Sequence, residues 1–491
     1  MTVLPIIAIC LFSVLLCGGL TLLCGRNVLK AALAVSAGLL LLFSYQTVRD
    51  GVIWPLWDYT PTIGSFKLGP NKFLFTVYAV VFAGLVFFLF RARKHFEPLT
   101  KAANVMAGSL VVFSLLNIGM YQIRTGGRHI YSAKEDYTSE TVAGIAAGSK
   151  LPDIYYIIPD GYARNDVLKE FYGYDNSEFI NYLQSKGFYI GHRSVSNYMQ
   201  TCVSLPSSLN MNYLPALVEN LDSASADRLA MMRLITHNHM LRFLKKLGYT
   251  TVVFESILPF VQEKFADIYM VPGWSFNQFQ NALIDMTPIP KLLGFFTPGD
   301  FFYRNWVSYP LDHLADPSKI DGPVFVFAHI LCPHPPFLFA ADGSRSDNPF
   351  RDPEDGVEAI QKYGSEAYIS GYVEQLKFTN SKLKDRIEDL LSDPNNLPII
   401  IIQSDHGPGM MTDPSSFEKT NHKERHGILN AYFFPDRDYS GLYPTITPVN
   451  TFRVVSNKFF GTNYDLLPDR SYYSTGNQPY KFVEYIPAEE N

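Results

Sequence analysis

The sequence predicts two joined bodies: a four-helix membrane anchor and, following it, an α/β layered domain. Three observations lead there. Four apolar runs fall within the first 125 residues. Residues 1–134 carry 12 Lys+Arg against 3 Asp+Glu, whereas the remaining 357 carry 29 against 43. After residue 150, strand-like runs alternate with helical ones, the pattern of a layered α/β domain. The chain-wide net charge of −5 and the 18% charged content are therefore averages of a +9 anchor and a −14 domain. A length of 491 residues exceeds what one hydrophobic core supports. Five cysteines form no disulfide framework, and the mild acidity argues against nucleic acid as a partner.

The anchor is expected over 1–124, with helices near 3–24, 29–47, 73–90 and 102–123. The first run, VLPIIAICLFSVLLCGGLTLLC, is long enough to cross a hydrocarbon core of about 30 Å. It lacks the basic start and small-residue cleavage site of a signal peptide. Arg26 and Lys30 in the first loop, and Arg91, Arg93, Lys94 and Lys101 in the third, place those loops on the cytoplasmic side. In the second loop Arg49, Lys67 and Lys72 are offset by Asp50 and Asp58, with Trp54 and Trp57 as interface anchors. Everything after the fourth helix then faces outward, a multi-pass protein of the cytoplasmic (inner) membrane with an extracytoplasmic domain. Cys10, Cys17 and Cys24 recur every seven residues and fall near one helix face as small apolar fillers. Residues 125–150 are expected as a linker, and 151–491 as the catalytic domain.

Within that domain the expected strands are DIYYIIPDG (153–161), GYTTVVFES (248–256), GPVFVFAHI (322–330), NLPIIIIQSDHG (396–407) and ILNAYFFP (428–435). Residues 357–391 have the spacing of one long amphipathic helix. Polar residues collect where strands end, the usual place for ligands on an α/β sheet. Asp160 follows the first strand, His334 comes shortly after the third, and Asp405-His406 follow the fourth. Thr201 falls at a helix start, where a threonine is ordinarily an N-cap. Two aspartates, a histidine and a hydroxyl suit one divalent ion, Zn²⁺ or Mn²⁺, with Ca²⁺ or Mg²⁺ as alternatives. A metal would lower the pKa of the Thr201 hydroxyl, and His334 and His426 are placed to hold non-bridging oxygens or protonate a leaving group. Cys202 and Cys332 are the two thiols of the outer domain and could pair.

The series IIPDGYAR, SNYMQTCVSLPSSLNM, AHILCPHPPF, IIQSDHGPG and ERHGILNAYFFP resembles the alkaline phosphatase/sulfatase superfamily over about 150–465. It looks most like the membrane-anchored sulfatase-like transferases, the group of lipoteichoic acid synthases and phosphoethanolamine transferases. The resemblance implies a three-layer, alkaline-phosphatase-like fold ending in the helix of ITPVNTFRVVSNKFFG. It also implies that Asp160, Thr201, Asp405 and His406 bind the metal, with Thr201 as the nucleophile. By the same resemblance His334 contacts the transferred group and His426 lies near its phosphate. Thr201 stands where sulfatases mature a Cys or Ser, and no Arg follows at the fourth place after it, a departure from the sulfatase motif. His329, His422 and His426 are the histidines left to contribute to a second metal site; a single site is expected.

These readings converge on a transferase moving a phosphoethanolamine- or phosphoglycerol-type headgroup from a membrane lipid onto an envelope glycan through a phosphothreonine at Thr201. Lys423, Arg425 and Arg193 are the cations available to draw in an anionic donor. The alternative is a hydrolase of phosphate or sulfate esters with the same ligands and water as acceptor. A catalytically dead scaffold would predict erosion of a ligand set that is intact.

Overall fold

The computed structural model describes residues 3–486 apart from 24–26, 57–61, 64–65, 68, 93–95, 127–150, 219–222, 259–260, 262–265, 274–277, 294–299 and 352–354. Beyond Gly126 the expected linker lies outside the described residues, as do Cys24, Arg26, Trp57, Asp58, Arg93 and Lys94. The chain divides into two compact units, Met1–Arg128 with Trp274–Phe301, and His129–Gly273 with Phe302–Asn491.

The first unit is built on four helices, α1 (Val3–Leu23), α2 (Val28–Val48), α3 (Pro70–Arg91) and α4 (Glu97–Gly126). Val28–Ile53 and Pro70–Leu89 are long and apolar enough to cross a membrane, and Ile9–Leu22 is a shorter apolar helix. α4 begins five residues before the expected start and pairs Glu97 with Lys101 in its first turns at 2.9 Å. Gly38 admits Phe82 so closely that a Cβ there would sit 3.2 Å from its ring. Away from such contacts Leu15, Leu40 and Val105 stay exposed. Open apolar surface of this extent marks a surface made to meet a membrane or another protein. Trp274–Phe301 interrupts the outer domain in sequence yet groups with these helices, and the Met286 carbonyl accepts the Gln46 N–H at 3.2 Å.

The second unit holds a seven-stranded mixed sheet. Its strands are β1 (Ile154–Pro159), β2 (Tyr189–Ile190), β3 (Thr250–Phe254), β4 (Ile268–Met270), β5 (Val324–Ile330), β6 (Ile399–Gln403) and β7 (Asn430–Phe433). They lie in the order β2-β7-β6-β1-β5-β3-β4. β1 pairs in parallel with both β5 and β6, whereas β7 runs antiparallel to β6. The central strands are continuous apolar runs because both faces are covered. Tyr155 and Ile157 enter one core with Tyr368, Tyr372 and Leu376, and Ile154, Tyr156 and Ile158 enter the other with Leu205 and Phe452. This alternation makes three layers of a single sheet.

Helices α5 (Thr201–Leu209), α6 (Val357–Tyr363), α7 (Ser365–Leu390), α8 (His422–His426) and α9 (Pro448–Phe460) complete the parts used below. The single helix expected over 357–391 is two, because Gly364 adopts a φ of +85° that ends α6 and starts α7. Cys202 and Cys332 do not pair. Both are buried free thiols, and Cys332 lies 3.0 Å from the Thr379 hydroxyl. A C-terminal hairpin, β8 (Ser471–Tyr473) and β9 (Val483–Tyr485), lies against the segment before Thr201: the Tyr472 N–H donates to Asn197 O at 2.9 Å, and Tyr472 stacks on Tyr198.

Gln403 ends β6 in a wholly buried polar cluster. Its Oε1 accepts from Tyr156 at 3.0 Å, and its Nε2 meets Asn430 Oδ1 at 3.0 Å and Thr451 Oγ1 at 2.6 Å. Gln403→Leu strands those partners in a dry core, so it is expected to destabilise the outer unit by about 2–4 kcal/mol. Thermal unfolding of the full-length protein in detergent measures this, and an unchanged midpoint would show that the cluster is not structural.

Candidate active site

The carboxyl ends of β1, β5 and β6 meet at one edge of the sheet, and each delivers acid or imidazole there. Asp160 follows β1 directly, and its N–H donates to Ile330 O at 2.9 Å, which fixes the turn. His329, paired in register with Ile158, is the penultimate residue of β5. The loop Ser404-Asp405-His406 leaves β6 held by its own serine, whose hydroxyl donates to His406 O at 2.7 Å and accepts the Tyr162 N–H at 2.8 Å. Because β7 is antiparallel to β6, the residues preceding it also arrive at this edge, bringing α8 with Arg425 and His426.

Thr201 enters from α5. Gln200, in extended conformation, is the N-cap, so Thr201 is the first helical residue and its side chain is not used in capping. Its Oγ1 lies 3.1 Å from His406 Nε2. His406 Nδ1 is 2.9 Å from Gly407 O, which assigns the proton to Nδ1 and leaves the Nε2 lone pair facing the cluster. That Nε2 lies 3.5 Å from Asp160 Oδ1 and 3.4 Å from Asp405 Oδ2. His329 Nε2 lies 3.5 Å from Asp160 Oδ2 and 4.0 Å from Asp405 Oδ2. Its other ring nitrogen is 3.1 Å from the Ser256 hydroxyl.

Asp160, His329 and Asp405 offer ligand atoms within 4.8 Å of one another, all buried. Among the described residues, both oxygens of Asp160, Oδ2 of Asp405 and Nε2 of His329 lack hydrogen-bond partners. Buried charge in this condition is strongly destabilising, and a divalent cation resolves it. The residues therefore fit a metal, and the mixture of carboxylate and imidazole is one that Zn²⁺ or Mn²⁺ takes. Burial, with Asp405 alongside, pushes Asp160 well above the usual carboxylate range. Burial pushes Asp405 up as well, but His406 and His329 beside it hold it low. Of the two carboxyls, Asp160 is the one that holds a proton more tightly. Burial lowers His329 to about 4 and, with Arg425 nearby, His406 to about 3. Both rings are neutral at pH 7, as metal ligands must be.

His334 and Arg425 form the adjoining wall. The proton of His334 Nδ1 points to Pro335 O at 2.7 Å, and Nε2 lies 3.8 Å from Asp355 Oδ2. Gly161, with φ of +70°, makes the left-handed turn after β1, and the His334 ring lies beside it. Arg425 is buried and clamps three loops: Nε donates to Met199 O at 2.8 Å, Nη1 to Asp355 Oδ2 and Gly407 O at 3.0 Å, and Nη2 reaches His406 at 3.5 Å. His426 holds Ser196 through Nδ1 at 3.1 Å and is buried with no partner at Nε2, its ring stacked on Tyr485. Lys423 instead pairs with Glu170 at 2.8 Å, and Arg193 is an exposed residue. The cluster thus gathers Asp160, Thr201, Asp405 and His406, adds His329 to them, and borders on His334 and Arg425. Asp355 was not legible: it closes an acidic stretch, DPED, that reads as ordinary surface.

A family model described as Sulfatase matches residues 152–434. No curated protein sequence matches the chain. Among solved structures, the C-terminal periplasmic domain of EcEptC from Escherichia coli, in complex with Zn, is similar at a TM-score of 0.46 and 11% identity, covering 70% of this chain and 94% of that one. The integral membrane lipooligosaccharide phosphoethanolamine transferase A from Neisseria meningitidis is similar at 0.45 and 13%, covering 88% and 79%. The phosphonate monoester hydrolase of Agrobacterium radiobacter is similar at 0.42 and 11%, covering 66% and 80%.

An ion entering this cluster competes with protonation of Asp160, whose pKa burial and Asp405 raise. Its affinity should therefore rise with pH up to the raised pKa of that group and level off above it, with about one proton released per ion. Zn²⁺ titration calorimetry in buffers of different ionisation enthalpy reads the proton directly. Affinity independent of pH would show that the pair does not hold it. His329→Ala should weaken binding by about tenfold or more if the ring is a ligand.

Proposed function

The chain belongs to the sulfatase family, and from that premise we propose that it is a metal-dependent phospho-group transferase at the outer face of the cytoplasmic membrane. It moves a phosphoethanolamine- or phosphoglycerol-type headgroup from a lipid donor to an envelope glycan, by way of a phosphothreonine at Thr201. The observation that carries this reading is the Thr201 hydroxyl, exposed to the cluster at the first residue of a helix and 3.1 Å from His406. A threonine is not the residue that sulfatases convert for sulfate-ester hydrolysis, and the family's phosphate chemistry needs only an activated hydroxyl.

Asp160, Thr201, Asp405 and His406 are assigned as the metal ligands, with His329 Nε2 facing the same carboxylates. When bound, the ion lowers the hydroxyl pKa and offsets the charge of the phosphodiester. The Thr201 hydroxyl would lose its proton to solvent on ligating the ion, and Oγ1 would then form a bond to phosphorus while the bond to the diacylglycerol oxygen breaks. His334 Nε2 gives that oxygen its proton, the Asp355 carboxylate at 3.8 Å steadying the charged ring. In the second half, His334 Nε2 takes the proton of the glycan hydroxyl, whose oxygen attacks phosphorus and releases Thr201 to regain its own. The free N–H groups of the first turn of α5 add positive potential beside the phosphate.

The anchor favours transfer over hydrolysis. Two helices meet the length and composition for a membrane span, and α1 and α4 are assigned as two further spans, with the outer unit beyond the fourth. Such an anchor keeps the site beside a lipid donor at high effective concentration. Lys423, less centrally placed than Arg425, is assigned to the approach of the anionic donor.

Thr201→Ala should lower transfer by roughly 10⁴-fold or more while metal content and melting temperature stay near wild type. Intact-mass analysis of protein mixed with lipid, without acceptor, should find the adduct on Thr201, and its mass names the headgroup. Full turnover in the alanine variant would overturn the nucleophile. Equal product release with and without glycan would favour the hydrolase. His334→Gln should slow turnover by about 10²–10⁴-fold, and an unchanged rate would remove its role in proton transfer.

A further inference from the structure

Residues 274–301 lie between β4 and β5 of the outer sheet in sequence, yet they belong to the helical unit. Their described part holds two short helices, Gln278–Asp285 and Ile289–Leu293. Neither approaches the roughly 20 residues that a membrane crossing needs. The chain leaves the outer unit before this segment and re-enters it afterwards. A segment of this kind goes to the membrane surface and comes back.

Its depth is set by one contact. α2 is 21 residues long, about 30 Å at 1.5 Å per residue, which matches the hydrocarbon core of a bilayer. Gln46 stands in the last turn of α2, and its N–H donates to Met286 O at 3.2 Å. Arg49 and Asp50 follow at once, paired at 2.7 Å, and the Arg49 guanidinium lies 5.7 Å from the ring of exposed Trp54. Apolar helix thus gives way to charge and indole at the level where Met286 is held, the composition of a headgroup layer. Lys291 is close enough to Arg49, Asp50 and Asp285 for their charges to act on it, so it shares that level.

The side chains at this level are apolar and uncovered: Met286, Ile289 and Leu292 are exposed. The backbone beneath them is satisfied from within. Pro288 and Pro290 bring no N–H, and the buried Thr287 closes the turn between the two helices. Its hydroxyl donates to Ile284 O at 2.6 Å and accepts the Ile289 N–H at 3.1 Å. The Lys291 and Leu292 N–H groups both donate to Pro288 O at 3.0 Å. A turn that meets its own hydrogen-bonding needs can lie against hydrocarbon, where no water is at hand to meet them.

We propose that residues 284–292 form a re-entrant membrane-contact element, lying in the headgroup layer of the outer leaflet with Met286, Ile289 and Leu292 inserted among the lipid chains. The occupant of this apolar face is lipid because the face is fixed to the last turn of α2, whose own exposed Leu40 meets the bilayer core. Lys291 keeps its stem in the apolar layer and its ammonium among the phosphates, where it favours anionic lipid. The bilayer is thereby gripped by a part of the chain that begins and ends in the outer domain, apart from the peptide connection after α4. The assignment rests on reading α2 and α3 as membrane spans.

The test places the photoreactive residue p-benzoylphenylalanine singly at Ile289 or Leu292 of the full-length protein, in vesicles of phosphatidylcholine and phosphatidylglycerol in equal parts. Both side chains are exposed, so the replacement leaves the fold intact. Two reference positions bracket the outcome: Val80, exposed on α3, and Leu466, exposed on the outer unit. Irradiation followed by intact-mass analysis is expected to find lipid adducts at 289 and 292, as at 80, in yields at least about tenfold above that at 466. Lys291→Glu should lower the share of phosphatidylglycerol among the adducts at 292 by about twofold or more, and an unchanged share would remove Lys291 from the phosphates. Adducts at 80 with none at 289 and 292, or cross-links from those two positions to a second protein chain, would overturn the element and leave the anchor standing. Absence of lipid adducts at all four positions would overturn the span reading and the element with it.

Discussion

Two carboxylates, Asp160 and Asp405, are buried side by side at the edge of the sheet with no hydrogen-bond partner for three of their four oxygens. Like charges in a dry site raise the energy of the folded chain, so the surroundings have to hold this arrangement in place. The parallel pairing of β1 with β5 and β6 supplies much of that restraint, because it brings the ends of three strands to one place. Burial, with Asp405 beside it, raises the pKa of Asp160, and the histidines beside the pair stay neutral. Neutral histidines are what a divalent ion requires of its ligands before it arrives, whereas a carboxyl must give up any proton to take it.

Arg425 extends this restraint outward. One guanidinium joins the segment before Thr201, the loop after β6 and the isolated carboxylate Asp355. Gly407 makes the junction physically feasible, since a Cβ there would lie 2.1 Å from Glu424 O. The nucleophile's position is therefore set by elements far apart in sequence. A lysine at 425 would hold one of those loops and release the others, because only the planar fork reaches all three.

The central strands and the acids at their ends were legible because each is local: IYYIIP ends in Asp160, and IIIIQ runs into Ser404-Asp405-His406. Thr201 was legible as a helix start, although the cap is Gln200, since the choice between adjacent residues depends on backbone angles that sequence does not carry. The break at Gly364 was overlooked because the apolar spacing continues across it while the φ does not. His329 read as one histidine among several, for its place opposite Asp160 depends on strand register. Asp355 and the hairpin are non-local in the same sense. Their function comes from contact with Arg425 and Gln200, and nothing in DPEDG or SYYSTGNQPY marks a contact with either.

Trp274–Phe301 has a consequence for how the molecule is made. The chain passes from the helical unit to the outer one, returns for this segment, and leaves again. A ribosome has to deliver residue 301 before the helical unit possesses all of its parts, by which time β1 and β3 are already made and waiting for β5 and β6. Biogenesis of the two units is thus interleaved rather than sequential. A fragment begun at residue 151, the obvious soluble excision, carries along a piece of the other unit whose packing partners have been cut away.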